Sequence, residues 1–180
     1  MLECVANVAE GRDSVVIAAL ADACGAALLD VHFDADHNRS VFTLAADRHD
    51  DVASATRALA RSVAAHVSIA LHSGVHPWLG ALDVVPFVAL GAEGVGNHDA
   101  ALRAHEFASW WAEMFGVPVF LYGAADDAAR DLPSVRREAF VTRPPDFGPR
   151  VPHPRLGATA VGVRPPLVAI NCELATDNVA

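Results

Sequence analysis

Apolar and polar residues alternate weakly from Leu2 to Val8, the two-residue period of a short strand with one face in a core. After Glu10-Gly11 the period lengthens. Between Asp13 and Cys24 apolar residues recur at helical spacing, Asp13 and Ser14 stand where an N-cap belongs, and Gly25 supplies a stop. Ala26–Val31 and Ser40–Leu44 read as two strands joined by the polar loop Phe33–Arg39. Asp50–His66 is an alanine-rich amphipathic helix with Val52, Leu59 and Val63 inward and Asp50 or Asp51 as its cap. Ala81–Leu90 is an apolar run interrupted by Pro86, which predicts a strand that is at an edge or bulged at the proline. A turn at Gly91–Gly96 leads into the longest helical pattern, Asn97–Phe115, with Leu102, Phe107, Trp111 and Met114 near one face. Gly116 ends it before a strand over Val117–Tyr122. A charged segment with a short helix, a proline-rich irregular stretch from Arg143 to Pro154, and a last strand over Leu167–Leu174 complete the chain.

The order of these elements mixes an antiparallel hairpin with helical crossovers and lacks the strict alternation of a doubly wound fold. It predicts an open mixed sheet covered by helices, of the α+β class. With 180 residues, 53% of them hydrophobic and 19% charged, the chain has the length and composition of one globular domain spanning residues 1–180.

Charge narrows the partners. All thirteen basic residues are arginines, so lysine Schiff-base chemistry is excluded and any anionic ligand falls to a guanidinium. The net charge of −9 and the absence of an arginine cluster larger than Arg136-Arg137 argue against a nucleic-acid partner. No stretch approaches eighteen uninterrupted apolar residues and no leader pattern opens the chain, which predicts a cytoplasmic protein without a membrane partner. Cys4, Cys24 and Cys172 are odd in number and widely spaced, as buried free thiols are.

The segment His72-Ser-Gly-Val-His-Pro-Trp-Leu-Gly-Ala-Leu-Asp-Val-Val-Pro-Phe87 holds the candidate chemistry. His72 and His76 stand four positions apart, with three residues between them, a spacing that binds a metal on a helix, but Gly74 and Pro77 disfavour a continuous helix and no third ligand lies at a recognisable offset. No metal is expected. Proton transfer and a polar turn without chemistry remain open on the residues alone, because one histidine specifies no reaction. Trp110 and Trp111 read as core residues of the long helix.

Five blocks in order resemble the glutamate formiminotransferase family, N-terminal subdomain. Glu3-Cys-Val-Ala-Asn-Val-Ala-Glu-Gly-Arg12 is similar to its E-C-V-P-N-F-S-E-G-R, and Asp36-His-Asn-Arg-Ser-Val41 matches its D-H-N-R-S-V. The histidine segment resembles H-x-G-E-H-P-R-M-G-A-x-D-V-V-P-F, while Pro145-Asp-Phe-Gly-Pro149 and Gly157-Ala-Thr-Ala-Val-Gly-Val-Arg164 resemble P-D-F-G-P and G-A-T-A-V-G-A-R. The resemblance implies a ferredoxin-like α/β sandwich and transfer of a formimino group from N-formimino-glutamate or a related donor to N5 of tetrahydrofolate as co-substrate. It places the catalytic histidine at His76; apart from the resemblance, Asp83 and His72 are candidate orienting neighbours by their place in the same segment. The resemblance puts folate contacts at Asp146, Phe147 and Gly148 of the proline-rich loop, with Phe147 either a ring contact or a buried loop anchor, and matches His153 to a family histidine that is ligand or scaffold. By their chemistry Asn38 and Arg39 read as substrate contacts or as a hairpin turn with a surface arginine, and Arg164 as a carboxylate contact or a scaffold pair. Gly74 and Gly80 would let a flat pterin approach.

Two departures bear on activity. Val75 and Trp78 replace the family's glutamate and arginine around the histidine, which makes its flanks apolar. The family's transferases also carry a second, similar half, so the resemblance implies a partner: a homo-oligomer or a separate C-terminal-half subunit. A noncatalytic folate-binding or structural module that complements such a half is the alternative reading.

Overall fold

The computed structural model describes residues 1–91 and 97–168. Strand β1 (Leu2–Val8) leads to α1 (Ser14–Cys24), whose first turn is capped by the Asp13 carboxylate accepting from the Val15 and Val16 N–H groups. Gly25, at φ 60°, ends α1 and opens a short 3-10 turn before β2 (Leu28–Asp34). The hairpin partner β3 (Arg39–Ala46), α2 (His49–His66) and β4 (Leu82–Ala89) follow. Then come α3 (Asn97–Phe115), β5 (Val119–Gly123), α4 (Leu132–Glu138) and β6 (Thr159–Val163).

Among the described residues six strands form one mixed sheet in the order β2-β3-β1-β4-β6-β5. β1 to β4 pair antiparallel throughout, and their βαββαβ order with β1 and β3 central is the ferredoxin-like arrangement predicted above. β6 and β5 extend the β4 edge in parallel, reached through the α3 and α4 crossovers. Leu2, Cys4, Ala6 and Val8 of β1 are buried with Leu20, Leu59, Val63, Phe107 and Trp111 in the main core, beneath α1, α2 and α3. A smaller cluster on the opposite face joins Phe120, Tyr122, Ala158 and Ala160 to Val135 of α4.

Several boundaries differ from the sequence reading. β2 runs to Asp34, so the polar loop shrinks to a four-residue turn, residues 35–38, tightened by Asp34 Oδ1 accepting from the Asp36 and His37 N–H groups. α2 starts at His49. Its N-cap position is Arg48, which makes no capping bond, and Asp50 and Asp51 lie in the first turn, where they complement the helix dipole. In α3, Leu102 and Met114 are exposed, and the inward face is built of Ala100, Ala104, Phe107, Ala108, Trp111 and Ala112. The alanines let the helix sit close to the sheet.

β4 is central rather than at an edge. Pairing with β1 is interrupted opposite Pro86, between Cys4↔Phe87 and Asn7↔Val84, as a residue without an N–H requires. The register shift lies instead at Asn7/Val8. It breaks the alternation of β4, so that Leu82 joins the main core while Asp83 and Val84 serve the opposite face. The strand expected over 167–174 lies mostly outside the described residues, as do the turn residues 92–96 and Cys172. The last described strand is β6. Cys4 and Cys24 are buried free thiols, and burial pushes both up to about 12.

Gly162 of β6 lies against the Tyr122 ring, where an added Cβ would stand 2.4 Å from Cδ1. The ring is large and 4% exposed, so it has little room to retreat. Gly162→Ala is expected to destabilise by about 1–3 kcal/mol through overpacking. A urea midpoint lowered at unchanged slope is the check; an unchanged midpoint would show that the ring yields freely.

Candidate active site

The face of the sheet opposite α1–α3 carries a cavity of about 870 Å³. Its floor is Val5 and Asn7 of β1, Arg39 and Val41 of β3, Val84 and Pro86 of β4, Tyr122 of β5 and Val163 of β6. His76, Pro77, Arg136 and Arg164 stand around this floor. Alternation explains the composition: the odd-numbered residues of β1 that do not face the helices face this cleft.

The segment carrying His76 is held down on the β2–β3 turn. Asn38, in the left-handed region at φ 48°, donates from Nδ2 to the Ser73 carbonyl (2.9 Å) and to His72 Nδ1 (3.3 Å), and its Oδ1 accepts from the Gly11 N–H (2.9 Å). Arg12 adds bonds to the Ala35 carbonyl and Ser73 Oγ. Gly74 crosses so close that an added Cβ would lie 2.3 Å from the His37 carbonyl oxygen. Gly80 is likewise pressed against the backbone of Leu156 and Ala158. The expectation that these two glycines admit a flat ligand is therefore corrected: protein backbone fills both spaces.

His76 is partly buried, and its Nδ1 lies 2.6 Å from the Pro77 carbonyl oxygen. A carbonyl only accepts, so Nδ1 carries a proton, and in the neutral imidazole Nε2 keeps its lone pair. Burial pushes the imidazole below its usual 6.5, and the neighbouring Arg39 and Arg136 charges add to the depression against the Pro77 bond and Asp83. His76 is thus a neutral base near pH 7. His72, its Nδ1 facing the Asn38 amide and its ring edge-on to Trp78 at 4.6 Å, is also lowered, chiefly by burial.

Asp83 is fully buried, and its carboxylate takes Arg39 Nη1 (2.6 Å), Arg136 Nη2 (2.5 Å) and the Leu79 N–H (2.6 Å). The expected Asp83–His76 bond is replaced by the Pro77 contact, so Asp83 acts as counter-ion to two arginines. Asn7 Oδ1 accepts from Arg39 Nε. One carboxylate between two guanidinium groups leaves a net positive charge at the cleft floor, suited to an anionic ligand. Arg164 lines the same cleft and donates to the Pro165 carbonyl.

The remaining sequence candidates lie elsewhere. Asp146 accepts from Arg143 Nη2 and the Leu121 N–H, Phe147 bridges to Val119 with its ring edge-on to His105, and Gly148 at φ 84° packs on Val117 and Ala112. His153 Nδ1 accepts from the Arg155 and Leu156 N–H groups beside a separate hollow with Arg61 and Phe115. None of these four lines the large cleft among its described residues. Arg136 and Tyr122 do, and the sequence reading missed both. A buried aspartate in an apolar strand was the available signal, because it demands a cation.

Residues 1–164 match the family model for the formiminotransferase domain, N-terminal subdomain. The chain belongs to this family. It is similar to a glutamate formimidoyltransferase of Streptococcus pyogenes serotype M1, 36% identical over 99% of this chain and 64% of that protein. It is also similar to the Gallus gallus formimidoyltransferase-cyclodeaminase, 37% identical over 97% of this chain and 34% of the relative. A glutamate formimidoyltransferase of Thermoplasma acidophilum is 33% identical over 99% of the chain and 63% of its own length. The chain thus spans less than two thirds of the length of each of these relatives. Among its described residues no helix is long and apolar enough to cross a membrane, and no group of three or more His, Cys, Asp or Glu side chains is gathered for a metal.

Proposed function

We propose that this subdomain supplies the proton-transfer wall of a formimino transferase that moves a formimino group from N-formimino-glutamate, or a related donor, to N5 of tetrahydrofolate. The observation that carries the reading is His76, its Nδ1 bonded to the Pro77 carbonyl and its imidazole pushed below 6.5 by burial, on a cleft whose floor is apolar at Val5, Val41, Val84 and Pro86 and positive at Arg39 and Arg136. Apolar strand residues suit a planar heterocycle, and the arginines suit the carboxylates of an acylated amino acid.

His76 takes the proton released as the acceptor nitrogen adds to the protonated amidine carbon. It returns that proton to the donor's amine nitrogen as the old carbon–nitrogen bond breaks. The base is regenerated within one turnover, and one imidazole serves both halves of the exchange. Asn38 holds the histidine segment on the β2–β3 turn, a positioning role, while Arg39 and Arg164 offer donors to ligand carboxylates. The opposing wall comes from beyond these 180 residues, as further chain, a second copy or a separate subunit; the shorter span relative to the family's proteins supports this.

The noncatalytic alternative draws support from Val75, which is 76% exposed where the family motif has a glutamate. Calorimetric titration with 5-formyl-tetrahydrofolate tests ligand binding by the 180-residue chain. Saturable binding at micromolar concentration is the expected result. Absence of binding would overturn this wall as a folate site by itself and favour the complementing module.

A further inference from the structure

Arg136 stands on the last turn of α4, far along the chain from the histidine segment, yet it is joined to it twice. Its Nη1 donates to the Pro77 carbonyl at 3.1 Å, the same oxygen that takes the proton of His76 Nδ1 at 2.6 Å. Its Nη2 is fixed on the buried Asp83 carboxylate, which also receives the Leu79 N–H two residues beyond Pro77. The carbonyl has two lone pairs and both are in use.

Resting on the transferase reading, we propose that Arg136 is a positioning residue for His76: through Asp83 and the Pro77 carbonyl it fixes the imidazole in the Nδ1–H tautomer and aims Nε2 at the cleft. A freely rotating Pro77 carbonyl would let the ring turn or exchange tautomers, and the base would then be absent from the reacting position for part of the time. Arg136 removes that freedom because its guanidinium is planar and held at two points. Its charge also opposes a proton on His76, as does that of Arg39 on β3. Asp83 on β4 favours the proton, and His37 on the β2–β3 turn faces the same ring at 6.2 Å between centroids. The short helix α4 has a defined end for this purpose: Asp131 caps its start by accepting from the Ser134 N–H, and the helix packs through Val135 into the smaller core cluster.

The test reads His76 directly by long-range 1H–15N correlation spectra of the imidazole, in the wild-type chain and in Arg136→Met and Arg136→Lys. The wild type is expected to hold a single Nδ1–H tautomer and to titrate below 6.5. Arg136→Met is expected to give a tautomer mixture and an upward shift in the titration. Arg136→Lys retains a charge near Asp83 but cannot span both acceptors, so it is expected to give the tautomer mixture with a smaller shift. Wild-type tautomer and titration in the folded variants would overturn the proposal, as would an Nε2–H tautomer in the wild type. If Arg136→Met does not fold, Arg136→Lys decides alone. Because the readout needs no turnover, a wild-type chain that shows the predicted tautomer but, joined to its opposing wall, neither binds folate nor transfers would overturn the transferase reading and leave the positioning role standing.

Discussion

Exchange of His76 for glutamine is expected to lower the turnover of formimino transfer by about 10²- to 10⁴-fold, the range supplied by one positioned acid–base group. Glutamine keeps a polar side chain of similar reach but neither accepts nor releases a proton near neutrality. Folate affinity should change little, since the proposed ligand contacts come from the sheet floor and the arginines. The comparison is therefore a transfer assay beside a calorimetric titration. Full turnover in the glutamine variant would remove His76 from the mechanism. The pH profile adds a second check. The working form is the neutral base, so the rate should be full above the His76 pKa and fall as pH drops through it. Burial first, and then Arg39 and Arg136, push that pKa below 6.5, so the acid limb belongs in weakly acidic solution rather than at neutrality. A limb above 7 would contradict the environment described for the ring.

The ease with which each part could be read from the sequence follows the range of the interactions that decide it. β1 was legible from its two-residue period, and α1 because two local signals, period and cap, agree over the whole element, as at Asp13 and Gly25; α3 was legible in its extent but not in its inward face. β6 was missed because its buried pattern, Thr-Ala-Val-Gly-Val, is made of small residues. Gly162 there is set by the Tyr122 ring of another strand rather than by any turn. The inward face of α3 was misassigned for a similar reason, since alanines at close approach are buried while Leu102 and Met114 are left outside. His76 and Arg39 were found through family resemblance and do line the cleft. Arg136 was not, because its meaning depends on Asp83, 53 positions earlier in the chain. The proline-rich segment shows the converse. Its motif is conspicuous in sequence, yet Asp146 and Gly148 fold against β5 and α3 and leave the floor of the cleft to strand residues.

Asp83→Ala is expected to destabilise the fold by about 3–5 kcal/mol, the cost of breaking a buried ion pair from one side. Asp83 is 0% exposed, and its removal leaves Arg39 and Arg136 facing each other without a counter-charge. It also strips the acceptor from the Leu79 N–H, which loosens the segment just after His76. The measurement is urea denaturation, with the midpoint lowered and the slope unchanged if the unfolded chain is unaffected. A loss below about 1 kcal/mol would mean that water reaches the arginines and screens them, as at a surface pair. A second variant separates stability from function. The combined exchange Asp83→Leu, Arg39→Met and Arg136→Met removes all three charges and fills the space with apolar groups. It is expected to recover most of the lost stability, because a buried ionic cluster and a well-packed apolar one are often close in free energy. The same variant should lose affinity for an anionic folate, since the positive floor of the cleft is gone. Recovered stability with lost binding would assign the triad to the ligand. Lost stability in both variants would assign it to the sheet.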